Sequence, residues 1–244
     1  MNEEKIIISL RKDLKYYIDK DYKERFPSFF KEDIKLFGVR ACSLKELEKR
    51  YFKELKNIPK KDFLKIIEIL LQQKEYEFKY IAFNLLYKRK HDFLKEDFSI
   101  FERFLKKYVK NWAHCDSFIT HSFGYLVYKY PELLNRTNSW INSDNRWLKR
   151  SASTILIYTF KYHKNNKEFY SALNRLKTIV IKQINDTDDL VQKAYGWSAK
   201  EASNIKEEAV FKFIYKYKNK LPRTALRYAI ENMSIEKKKI AMFK

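Results

Sequence analysis

The stretch SDNRWLKRSASTILIYTFKY, residues 143–162, decides the fold. At about 100° per residue, Leu148, Ala152, Ile155, Leu156 and Thr159 fall on one stripe, as in an amphipathic helix. Trp147, Arg150 and Thr154 fall well off that stripe, so Arg150 is expected to lie away from the buried face. The same period recurs on both sides. It runs through EEKIIISLRKDLKYYI, a shorter YKERFPSFFKED, KKDFLKIIEILLQQ after Pro59, EYEFKYIAFNLLYKRK, DFSIFERFLKKYVK and DSFITHSFGYLVYKY. It continues in PELLNRTNSWI, KEFYSALNRLKTIVIKQI, DTDDLVQKAYGWSAKEAS, KEEAVFKFIYKYKN and PRTALRYAIENM. In GVRACSLKELEKRYFKEL, Gly38 marks a turn, and Ser43 with Glu46 three residues on reads as a capping box. Three glycines and four prolines are too few for the turns of an all-β or doubly wound fold. Helix pairs recur every ~35–40 residues without strict identity, as in degenerate HEAT-type repeats. The expected architecture is therefore all-α: one curved α-solenoid over residues 1–244, a single domain with a basic concave face. An ordinary globular helical domain is the alternative.

Composition narrows the partner. The 244-residue chain carries a formal charge of +21, which points first to a polyanion such as nucleic acid. A membrane surface comes second, and no apolar run approaches the ~20 residues of a spanning helix. The segment MNEEKIIISLRK is charged on both sides of its short apolar patch, unlike a signal peptide. Cys42 and Cys115 form no CxxC and no disulfide framework, so a reducing cytoplasm is expected. His91, His114, His121 and His163 show no metal-ligand spacing, and no glycine belongs to a phosphate-binding loop. Neither metal nor cofactor is expected. His114 and Cys115 lie beside Asp116, but sequence alone does not make them a catalytic dyad.

In stacked helices, function belongs on the stripe that packing leaves over. Around VQKAYGWSAK, the core stripe is Val191, Ala194, Tyr195, Ser198 and Ala202; Trp197 lies off it, nearer Lys193 and Lys200. That places an indole on a basic face, or against a neighbouring repeat. In DSFITHSFGYLVYKY, the stripe is Ile119, Phe123, Leu126 and Val127, with Asp116 at its N-terminal edge. Asp116 is then either a functional acid or a carboxylate placed against the positive end of a helix dipole.

NWAHCDSF, WINSDNRWLKRSA and VQKAYGW also carry a resemblance. The chain resembles the AlkD-like DNA alkylation repair proteins, glycosylases built from HEAT-like repeats, from its first helix to about residue 233. The resemblance implies that Asp116 is the catalytic carboxylate and that Trp112 and Trp197 flank the lesion nucleotide. It implies that Arg150 contacts the DNA backbone near the lesion. Arg40, Lys149, Lys193 and Lys200 are further candidate DNA contacts. Two positions depart from the family pattern: Arg40 stands where well-known members have glutamine, and Phe29 where they have tyrosine. The resemblance implies that both belong to parts that engage the strand opposite the lesion.

The implied reaction is excision of N3- or N7-alkylated purines from double-stranded DNA, by a monomer, without flipping the base out. The cationic base leaves neutral, so no strong general acid is required. A carboxylate and indole faces would stabilise the oxocarbenium developing on the sugar. The family also contains paralogues with little or no glycosylase activity that bind branched DNA. That reading, and a HEAT-type protein–protein adaptor, are the alternatives.

Overall fold

The computed structural model describes residues 3–243. It is all-α, of the α-solenoid class. Among the described residues there is no β-strand, and one isolated bridge joins Ile18 to Val39. The chain divides into two compact units, Met1–Phe118 and Ile119–Lys244.

The first unit holds α1 (Glu3–Tyr16), α2 (Lys20–Arg25) with a 3-10 turn at Phe26–Phe29, α3 (Ala41–Leu55), α4 (Lys60–Gln72), α5 (Tyr76–Lys88), α6 (Asp97–Tyr108) and α7 (Trp112–Ser117). Its core is ring-rich: Phe63, Phe78, Phe83, Phe98, Phe101, Phe104 and Phe118 are all buried. Each such side chain contributes about 1.5–3 kcal/mol of hydrophobic stabilisation. Phe83 stacks on Phe118 at 4.5 Å, which fixes α5 against the end of α7. Pro59 caps α4 as its sequence implies. The capping box is not formed. Helix α3 starts at Ala41 with Arg40 as its cap, which puts Ser43 and Glu46 inside the helix. The turn at Gly38 is real: its φ of 91° favours glycine, and a Cβ there would lie 2.4 Å from the Lys23 Cβ.

The second unit holds α8 (Gly124–Lys129), a 3-10 helix at Pro131–Trp140, α9 (Arg146–Thr154), α10 (Ile157–Tyr162), α11 (Asn166–Gln183), α12 (Asp189–Tyr217), α13 (Arg223–Ile230) and α14 (Ile235–Met242). A π-helical stretch, Phe118–Phe123, precedes α8. Two expectations need correcting. The segment read as a helix at 131–141 is a 3-10 helix over Pro131–Trp140, with Thr137 Oγ1 donating back to the Leu134 carbonyl at 2.8 Å. Asn135, Thr137, Asn138 and Ser139 are residue types whose short polar side chains can compete for backbone groups, which disfavours an α-helix here. Residues 143–162 are two helices, broken by a turn at 155–156. By contrast, the two helices read from 186–219 are present, joined at a kink where Lys206 has φ −138° and ψ 72°. Helix α14 was not anticipated.

Helix α9 is buried nearly all round because it packs on α11, α12 and the 131–140 segment. Leu148, Ala152, Ile155 and Leu156 are core, but so are Trp147, Arg150 and Thr154. The helical wheel found one buried stripe; the fold surrounds the helix. On α12 the expected stripe of Val191, Ala194, Tyr195, Ser198 and Ala202 is buried in full. Gly196 lets α12 touch α13, since a Cβ there would lie 2.7 Å from both the Ala225 carbonyl oxygen and the Tyr228 Cβ.

Candidate active site

Helix α7 begins earlier than its sequence implies. Asn111 caps it in extended conformation, its Oδ1 accepting from the His114 backbone N–H at 2.9 Å. Trp112 is therefore the first helical residue and Asp116 the fifth. The first turn holds no acid, so a favourable place at the helix dipole does not account for Asp116. Four residues apart, Trp112 and Asp116 share one face of α7, and both are half-buried.

The other face of α7 is structural. His114 and Cys115 are buried. The Asn111 amide donates to His114 Nδ1 at 3.0 Å, which leaves the ring proton on Nε2 to be donated to the Tyr76 carbonyl at 3.1 Å. The imidazole also stacks on the Tyr76 ring at 4.6 Å. Burial, and then the charge of Lys79, push its pKa down to about 3 against the pull of the Tyr76 carbonyl. A neutral, doubly bonded ring turned into the core is an anchor. It forms no catalytic dyad with Asp116.

Trp112 is held by a segment far away in sequence. Its Nε1 donates to the Phe29 carbonyl at 3.1 Å, and Phe30 stacks on the indole at 5.3 Å with 20° between planes. Phe30 in turn packs on Phe26, which meets Tyr22 at 4.8 Å and Tyr76 at 5.1 Å. The Phe29 side chain is 69% exposed beside this cluster. Arg40 is exposed too. Its Nε donates to Asp19 Oδ2 at 2.6 Å and its guanidinium lies 5.5 Å from the Tyr22 ring centre. The Arg40 guanidinium beside Asp19 holds that carboxyl below its usual range, with help from the Tyr22 backbone N–H. The turn before Arg40 is fixed by buried Glu77, which accepts from the backbone N–H groups of Phe37, Gly38 and Val39 at 2.8–3.2 Å. Phe30, Tyr76 and Glu77 escaped the sequence reading. The usable signal was Asn111, a capping residue just before the aromatic–acid pair.

In the second unit, the expectation for Arg150 is overturned. The residue is 5% exposed, and its Nη1 donates to the Leu190 carbonyl at 2.5 Å, tying α9 to the start of α12. Trp197 is half-buried and off the core stripe, as read, with Nε1 donating to Glu201 Oε1 at 2.8 Å. The basic side chains beside it have acidic partners. Lys193 pairs with Asp189 at 3.0 Å and Lys200 with Glu231 at 3.0 Å. On α9, Lys149 pairs with Asp186 at 2.6 Å. The +21 excess thus overstates how much bare charge these positions present. Among the described residues no group of acids, histidines and cysteines could hold a metal ion, and no helix is long and apolar enough to cross a membrane.

No curated protein matches the chain. Among solved structures, it is similar to a protein described as a predicted DNA alkylation repair enzyme from Enterococcus faecalis. That match has a TM-score of 0.77 and 21% identity, covering 89% of this chain and 97% of that one. It is also similar to AlkD2 from Streptococcus mutans, with a TM-score of 0.64 and 17% identity, covering 96% and 100% of the two chains. At such identities the likeness is one of fold. The family model described as DNA alkylation repair enzyme matches residues 10–233, and the chain belongs to that family.

Proposed function

We propose that this chain is a DNA glycosylase that releases N3- or N7-alkylated purines from double-stranded DNA. The observation that carries this reading is the face of α7: Trp112 and Asp116 one helical turn apart, with the acid beyond the reach of the helix dipole. Alkylation makes the purine a cation, so breaking the C1′–N bond releases a neutral base. The bonding electrons leave with the base, and positive charge develops on the deoxyribose. The Asp116 carboxylate opposes that charge and orients the water that adds at C1′, taking up the proton the water loses and passing it to solvent. The Trp112 ring adds a cation–π contribution of about 0.5–2 kcal/mol. Trp197 and the cations of the second unit are proposed to contact the DNA. The buried Arg150 is proposed to act on the backbone only through what it fixes.

The test is base release under single-turnover conditions from duplex DNA treated with a methylating agent, with affinity measured across salt concentrations. Free alkylpurine together with salt-weakened binding is expected. Arg40 favours a second reading, a protein that binds branched or damaged DNA without excision, because it is already engaged with Asp19 and Tyr22. Tight binding with no base released from any methylated duplex would establish that second reading instead.

A further inference from the structure

We propose that Phe30 is a positioning residue for Trp112, and that the 26–30 segment sets the angle at which the indole meets its ligand. This rests on the glycosylase reading for its kinetic consequence and on geometry for its structural one. An indole on a six-residue helix has two side-chain torsions to fix, and two contacts from the 26–30 segment restrain them. The Phe29 carbonyl takes the N–H at 3.1 Å, which sets the direction of the ring edge. Phe30 covers one face at 5.3 Å and 20°, which sets the ring plane. Among the described residues, Phe30 is the one ring stacked on Trp112. The proposal assigns the opposite face to a sugar or base.

The clamp is itself braced. Phe26 lies 5.1 Å from both Phe30 and Tyr76, and Tyr76 stacks on His114 two residues along from Trp112. The 26–30 segment and α7 are therefore joined through one aromatic cluster. A flat neighbour at this spacing suits preorganisation: it restrains the plane of Trp112 without closing the face on which charge develops.

The experiment uses Phe30→Leu, Phe30→Tyr and Trp112→Phe, singly and combined. Phe30→Leu should slow single-turnover base release about tenfold while duplex affinity stays within about twofold, and Phe30→Tyr, which keeps the stacked ring, should retain the rate. In the Trp112→Phe background, Phe30→Leu should have little further effect. Independent, multiplying effects would overturn the proposal, and so would a Leu variant as fast as wild type. Phe30 is half-exposed, so cooperative melting should persist. Loss of the fold on Phe30→Leu would mean that it is core, and would also overturn the proposal.

A readout independent of catalysis is the Trp112 part of the emission, taken as wild type minus Trp112→Phe. Phe30→Leu should shift it to longer wavelength and abolish its quenching by duplex DNA. An unchanged component would end the positioning claim, even if base release is slowed. If wild-type protein releases no base, the glycosylase reading fails alone, and this optical comparison still decides the role of Phe30.

Discussion

Two half-buried tryptophans are held in opposite ways. Trp197 donates its N–H to Glu201, one turn along its own helix, and its place off the core stripe follows from residues 191–202 alone. Trp112 is bonded to a carbonyl 83 residues earlier and stacked on the next residue, Phe30. The arginines differ in the same sense. Arg40, in a turn, is exposed and paired with Asp19; Arg150, in a helix read as having a free face, is buried against the Leu190 carbonyl. A helical wheel reports one neighbour at a time. It serves α12, which has a face left over, and it fails α9, which is packed from several sides.

The largest expected effect concerns Asp116. Asp116→Asn keeps the shape and removes the charge, so base release should fall about 10²–10³-fold while duplex affinity holds or rises slightly. Unchanged excision would remove the acid from the chemistry and leave α7 as scaffold. Arg150→Ala comes next. It removes a buried hydrogen bond from a charged donor, and denaturant unfolding should show a loss of about 1.5–3 kcal/mol. A change within about 0.5 kcal/mol is what a surface residue gives, and would restore the exposed reading of Arg150.

His114 sets a pH dependence. Its folded pKa of about 3 lies below the ordinary 6.5, so between those values the unfolded chain binds the extra proton. Stability should then fall as pH drops from about 6.5 toward 3, by up to about 1.4 kcal/mol per unit from this residue. Above that window the residue contributes no slope. Subtracting the unfolding curve of His114→Gln should isolate the effect, and identical slopes in both proteins would show that the ring is not buried neutral. Smallest is the stability cost of Trp197→Ala, expected near 1 kcal/mol, against the ~3–5 kcal/mol of a core aromatic such as Trp140. The same change should reduce lesion processing more than binding to undamaged duplex. A core-sized loss on melting would make Trp197 a packing residue and erase the contrast with Trp112.

What the sequence disclosed follows from the range of each interaction. Period and punctuation placed the helices around Pro59, Gly38 and the Lys206 kink, because those signals act within a few residues. The α7 start at Trp112 was legible in Asn111 but obscured by the stronger periodic stripe that begins at Ile119. Arg150, Phe30 and Glu77 could not be placed. Their partners are a carbonyl 40 residues away, a ring on another helix and three backbone N–H groups about 40 residues earlier. The acid–aromatic pair was visible as spacing; what holds it was not.

The first turn of α5 acts as a common datum for two segments that never bond to each other through it. The Tyr76 N–H is donated to the Lys35 carbonyl at 2.7 Å, and the Tyr76 carbonyl receives the His114 proton. One residue on, the Glu77 carboxylate gathers the three N–H groups of 37–39. The turn bearing Arg40 and the helix bearing Trp112 and Asp116 are therefore indexed to the same pair of consecutive residues. A register slip of α5 would carry both with it, so their mutual spacing survives small displacements that would scramble a site assembled from independently tethered parts.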